Sequence, residues 1–306
     1  MKEIEFAAKK LIEDVLKIRK KEKVCLVIDY ENEVYKAIKN ELKRLNLNFS
    51  ILKIRKNRLH SSPIPEAKKF FKNCNVIIAP TRNSISHSPE TYYARKKYGV
   101  RVASMPSINS EIFVNGLKAN TKEIEKIGKK IIRKLKNGKI VKIITKSGTN
   151  VEIYIKGVKF MEEHGDISKK GALNNVPFGE VCGYGIKGNG KICIDSWRKI
   201  KTNDKAFLYI ENGEIVSWNK GADKFVKYLM KAGKCGLKTI ELGFGTNPGI
   251  KKVMGNVLND EKIYGSVHIA FGGHGKIKCD VHEDIIILNP TVFVDGKKII
   301  ENGKLI

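Results

Sequence analysis

No stretch of this 306-residue chain reaches the roughly 18 consecutive apolar residues that a membrane-spanning helix needs. The opening segment, MKEIEFAAKKLIEDVLKIRK, is charged throughout and has no uninterrupted apolar core of a signal peptide. These absences predict a soluble, cytoplasmic protein with no membrane partner. The six cysteines (Cys25, Cys74, Cys182, Cys193, Cys235, Cys279) include no C-x-x-C pair. That excludes a zinc ribbon or a thioredoxin motif and argues against a disulfide framework. No G-x-G-x-x-G follows the first expected strand, so dinucleotide binding has no support. Core material is not lacking: 42% of residues are apolar and 30% charged, which excludes a disordered or fibrous chain.

The formal charge of +27 is uneven along the chain. Residues 1–150 hold 35 Lys/Arg against 14 Asp/Glu, whereas residues 151–306 hold 24 against 18. A basic half can announce a nucleic-acid partner. The blander reading is a lysine- and isoleucine-rich composition of thermophile type, in which the charges cover the surface.

Hydrophobic periodicity organises the rest. Residues 2–20 and 31–46 read as amphipathic helices, and 88–98 as a helix opening at Ser88-Pro89. Short apolar runs at 23–30, 49–54, 75–80 and 99–106 read as buried parallel strands alternating with those helices. This predicts an α/β, Rossmann-like, doubly wound parallel-sheet domain over 1–120. After a lysine-rich helix at 121–136 the pattern turns to strands. They fall at 139–160, 191–195, 205–210, 214–218, 265–271, 281–288 and 291–300, with one helix at 221–232 and turns at Asn212-Gly213, Asp295-Gly296 and Asn302-Gly303. Residues 121–306 are thus expected to form a β-rich α+β domain carrying a metal site.

The chemistry-bearing residues concentrate there. His268, His274 and His282 fall within fifteen residues of one another. In His282-Glu283-Asp284 the imidazole and the second carboxylate share one face of a strand, half a site for a divalent ion. His268 stands alone among small and apolar residues in GSVHIAFGG, and Asp284 is followed by IIIL. Polar groups in such strands need partners, which a metal supplies. Glu180 and Glu241 each lie in a long lysine-free window, 171–186 and 239–250, as expected if a bound cation repels ammonium groups. His87, after the third strand, sits where open α/β sheets place ligands and is an acid/base candidate. His60 and His164 read as surface, Cys182 and Cys279 as buried structural thiols, and Trp197 and Trp218 as core or interface residues.

In order along the chain, SISHSPETYYARKKYGVRVASMPSI (84–108), NNVPFGEV (174–181), ELGFGTNPG (241–249), GSVHIAFGG (265–273) and VHEDIIILNPTVFVDGKKIIENGKLI (281–306) resemble the successive motifs of the aminopeptidase T family of thermophilic metallopeptidases. The resemblance implies a two-metal site on Glu180, Glu241, His268, His282 and Asp284, residues already singled out above. It also implies a homodimer. Where that family has a tyrosine after its first motif histidine, this chain has Gly275, and its 268–282 segment is shorter. The same scaffold resembles the iron-dependent dihydroxypyridine dioxygenases, in which His268, His282 and Asp284 would supply a 2-His-1-carboxylate triad.

The leading expectation is therefore a metal-dependent, aminopeptidase-like hydrolase with Zn, Co or Mn ions and a peptide substrate. Glu180 or Glu241 would handle the proton or the substrate amine. The alternatives are a mononuclear Fe(II) ring-cleaving dioxygenase acting on a small molecule, or a basic nucleic-acid-binding protein without catalysis. In the first case the five residues should converge in one cleft, with mutual repulsion raising their carboxylate pKa values.

Overall fold

A strand buried in a parallel sheet needs apolar residues on both faces, and KVCLVI provides them. In β1 (Lys23–Ile28) every residue after the first is buried. The structure is a computed structural model that describes residues 2–56, 58–59, 62–198, 206–275 and 277–306. Among these the chain forms two compact units, one of residues up to Thr121 with His164–Phe178, the other of Lys122–Glu163 with Gly179–Ile306.

In the first unit, α1 (Glu3–Lys10) leads through a π-turn to β1. Then follow α2 (Glu33–Arg44), β2 (Asn48–Lys53), α3 (Ala67–Lys72), β3 (Val76–Ala79), α4 (Pro89–Tyr98), β4 (Arg101–Ser104) and α5 (Ser110–Gly116). A short strand, Leu173–Asn175 (β8 in chain order), completes a parallel sheet of order β2-β1-β3-β4-β8. The predicted helix at 88–98 has its physical cause on view. Ser88 caps it by accepting from the Thr91 N–H, Pro89 fills the first turn, and Gly99 ends it at φ 68°. The helix expected over 2–20 is shorter, and α3 and α5, too brief for a clear period, were not expected.

The second unit opens with α6 (Thr121–Leu135), which buries Ile124, Gly128, Ile131 and Leu135 and leaves Lys122, Lys126, Lys129 and Lys130 exposed. One antiparallel sheet has the order β12-β11-β10-β6-β5-β16-β17-β18. Its strands are β5 (Ile140–Ile144), β6 (Asn150–Tyr154), β10 (Lys187–Ile194), β11 (Ala206–Glu211), β12 (Glu214–Trp218), β16 (Thr291–Val294), β17 (Lys297–Glu301) and β18 (Lys304–Leu305). The other, β15-β14-β13-β9-β7, is built from β7 (Phe160–Glu163), β9 (Glu180–Tyr184), β13 (Thr239–Gly245), β14 (Val267–His274) and β15 (Ile277–Ile287). The expected α/β class, a parallel sheet followed by a β-rich part, is the observed one. The run 164–178, which returns to the first unit, is not contained in a single boundary near residue 120.

Alternation along the second sheet decides what each face does. Val181, Leu242, Phe244, Val267, Ile269, Phe271, Ile285 and Ile287 point into the unit's main core with α7 (Asp223–Met230) residues Phe225, Val226 and Leu229. The intervening residues form the opposite face.

One expectation about sulfur is corrected. Cys235 and Cys279 form a disulfide, tying the 3₁₀ turn Gly233–Leu237 to the outer end of β15 across 44 residues. No C-x-x-C spacing signals it, because the partners meet only through the sheet. Cys25, Cys74, Cys182 and Cys193 remain thiols and are buried. Denatured, unreduced protein should thus show four titratable thiols, and reduction should expose all six. Losing the cross-link should cost up to about 4 kcal/mol by loop entropy, read as a lower melting temperature in reductant. Six thiols without reductant would contradict the pairing.

Candidate metal centre

The second face of the β15-β14-β13-β9-β7 sheet is a chequerboard of functional and small side chains. Cross-strand register sets Glu241 opposite Tyr184 and Ala270, and Ala270 opposite Asp284. It sets Gly243 opposite Cys182 and His268, Gly272 opposite His282, and Glu163 opposite Glu180. At Gly243 the missing side chain is room for an imidazole. A Cβ on Gly243 would stand 1.9 Å from His268 Nε2, so the imidazole lies across the β13 backbone there. An alanine at 243 should cost about 1–3 kcal/mol by overpacking, measured by chemical denaturation; an unchanged midpoint would show that the ring is not held there.

All five residues expected at the site meet. Glu180, Glu241 and His268 offer ligand atoms within 4.8 Å of one another, as do Glu241, His282 and Asp284, so Glu241 belongs to both groups. His268 Nε2 lies 3.3 Å from Glu180 Oε2 and 3.8 Å from Glu241 Oε1. His282 Nε2 lies 3.2 Å from Glu241 Oε2 and 3.8 Å from Asp284 Oδ2. His282 donates its Nδ1–H to the Gly273 carbonyl at 2.9 Å, which turns Nε2 toward the carboxylates. His268 is fully buried, yet neither ring nitrogen has an aligned hydrogen-bond partner. Such an orphaned imidazole, facing carboxylate oxygens and set beside a second one, is the donor set of a divalent-ion site, with nitrogen and oxygen donors but no sulfur.

The lysine-exclusion argument fails at one residue. The excursion between β13 and β14 carries α8 (Val257–Asp260), held by Asp260 accepting from the Met254 and Gly255 N–H groups. It delivers a fully buried Lys262 whose Nζ lies 2.5 Å from Glu180 Oε1 and 2.6 Å from Glu261 Oε1. Lys262, Glu261 and Glu163 were missed. One lysine among 59 basic residues carries no local mark of burial.

Of the three carboxylates expected to rise by mutual repulsion, only Asp284 does, and burial is its main cause. Burial pushes Asp284 up to about 6, Glu163 to about 7 and Glu261 to about 8. Burial also opposes ionisation of Glu180, but Lys262 and His268 outweigh it and hold that carboxyl below the usual range. At Glu241, too, burial opposes ionisation, but the facing His268 and His282 imidazoles outweigh it and hold that carboxyl below the usual range. Burial alone would lower both imidazoles; the facing carboxylates raise His268 well above its usual value and push His282 up to about 10. A raised histidine stabilises the fold fully below its unfolded pKa, about 6.5, and that stability is lost as pH rises through the folded value. Chelator-treated protein should accordingly melt at lower temperature at pH 10 than at pH 7, and a flat profile across that range would refute the imidazolium–carboxylate pairing.

Of the other candidates, His87 is exposed on the turn before α4, in the first unit, whereas the cluster is built wholly from the second. His164 is half-buried near Asp166, not a surface residue, and His60 lies outside the described residues. Trp197 is buried and donates to Glu283. Half-buried Tyr184 stacks on His274 with ring centroids 3.6 Å apart, and His274 is 5.9 Å from His282, an aromatic wall beside the carboxylates.

Residues 53–306 match the family described as NicX, 2,5-dihydroxypyridine 5,6-dioxygenase. The chain belongs to this family. No curated protein matches it by sequence. The solved structure of 2,5-dihydroxypyridine dioxygenase from Pseudomonas putida KT2440 superposes with TM-score 0.82 at 14% identity, covering 100% of this chain and 98% of that one. Wild-type AmpT from Thermus thermophilus superposes with TM-score 0.69 at 13% identity, covering 99% of each chain. At these identities both likenesses show the scaffold. Membership of the dioxygenase family overturns the expected aminopeptidase-like hydrolase: the same ligand types on one scaffold do not distinguish hydrolysis from oxygenation. Among the described residues, no helix is long and apolar enough to cross a membrane.

Proposed function

We propose that this chain is a ring-cleaving dioxygenase acting on a dihydroxylated pyridine or a closely similar electron-rich ring. It would use one iron(II) ion held by His268, His282 and Asp284 beside Glu241. The observation that carries the reading is the family match over residues 53–306. The chemistry of the cluster supports it, since two imidazoles and a carboxylate suit a non-haem iron centre. When bound, the ion supplies the chemistry that brings molecular oxygen to the ring.

The chain's own groups have separable tasks in this reading. The Gly273 carbonyl fixes the His282 tautomer and leaves Nε2 as a ligand. Glu241, ionised, lies between the two imidazoles, with one carboxylate oxygen facing each Nε2. The Tyr184–His274 stack offers a flat face of the kind against which an aromatic substrate lies. The buried sheet face beneath Glu241 and His268 keeps bulk water from the inner side of the centre.

The test is oxygen uptake. Protein loaded anaerobically with iron(II) should consume oxygen in step with the loss of 2,5-dihydroxypyridine absorbance. His282→Ala and Asp284→Asn should each lower the rate by about 100-fold or more. Iron-loaded protein that takes up no oxygen with any dihydroxypyridine would end the proposal.

A further inference from the structure

The cluster offers two places for a cation, and they are not equivalent. Both use Glu241, one completed by His282 and Asp284, the other by Glu180 and His268. The second place already has a positive neighbour. Lys262 is fully buried and its ammonium bridges Glu180 Oε1 and Glu261 Oε1 at 2.5 and 2.6 Å. The backbone holds it there. The Asn247 N–H donates to the Lys262 carbonyl at 3.1 Å, and the Lys262 N–H donates to the Asn259 carbonyl at 3.1 Å.

We propose that the Lys262 ammonium stands in for a second metal ion, so that the centre holds a single ion beside Glu241 rather than a pair. A divalent ion bound through Glu180 Oε2 would share one carboxylate group with an ammonium on its other oxygen. Both charges would be enclosed where water does not screen them, and like charges so placed repel strongly. The Glu241–His282–Asp284 side has no such neighbour among the described residues, and His282 is its half-exposed edge. Lys262 thus neutralises Glu180 without metal, so that His268, whose Nε2 also lies 3.8 Å from Glu241 Oε1, is left to serve an ion on the His282–Asp284 side of Glu241. The inference rests on the metal centre of the proposed function but not on ring cleavage, so oxygen uptake and metal counting fail independently.

The experiment counts ions. Metal-free wild type, Lys262→Met and Lys262→Arg are dialysed against excess Mn2+ and assayed by elemental analysis, with circular dichroism as a check of fold. Wild type and Lys262→Arg, which keeps the charge, should hold about one ion per chain. Lys262→Met leaves Glu180 and Glu261 facing each other without a cation and should hold about two, with the exchange-coupled spectrum of manganese ions some 3.5–4 Å apart. Two ions in wild type would overturn the proposal whatever the variants do. So would a folded Lys262→Met chain that still holds one. If no ion binds at all, the metal centre falls and the role of Lys262 with it.

Discussion

Carboxylates crowded on one face of a sheet and closed off from water repel one another unless cations stand between them, and the second unit is arranged around that constraint. Glu180, Glu241 and Asp284 are all buried, and three side chains that can carry positive charge are turned toward them: His268 from β14, His282 from β15, Lys262 from the excursion after β13. The glycine among them follows from the same need. Gly243 keeps the face shallow enough for the His268 imidazole to lie across the neighbouring strand. The reverse face, filled with isoleucine, valine and phenylalanine, anchors the strands so that this costly arrangement holds its shape.

The ligand types were legible because each interrupts an apolar strand. A histidine in GSVHIAFGG or an aspartate before IIIL stands out against its neighbours, since the strand period says which way it points. The parallel sheet was legible for the same reason, through runs such as KVCLVI and NVIIAP. What escaped depends on contacts remote in sequence. Lys262 is buried because a loop folds back over the sheet, Cys235 finds Cys279 through strand neighbours, and Leu173–Asn175 joins a sheet begun 150 residues earlier. No local period encodes any of these.

The choice of reaction was illegible for a different reason. Two imidazoles and several carboxylates serve a hydrolytic metal and an oxygen-activating one equally well. What separates the chemistries is how many ions are held and what lies against them. Those depend on the residues around the ligands: Lys262 and Glu261 behind Glu180, Tyr184 and His274 beside His282.

The threading of the chain restricts how such a protein can change over time. Between β7 and β9, which lie side by side and carry Glu163 and Glu180, the backbone leaves the second unit to lay β8 on the parallel sheet of the first. A gene break at the first crossing would strip the parallel sheet of its edge strand and leave that strand as a loose insert beside Glu180. The two units therefore cannot be traded as cassettes by recombination. Diversification in this scaffold has to proceed by substitution within an intact chain, with the ligand strands and the sheet of the first unit inherited together.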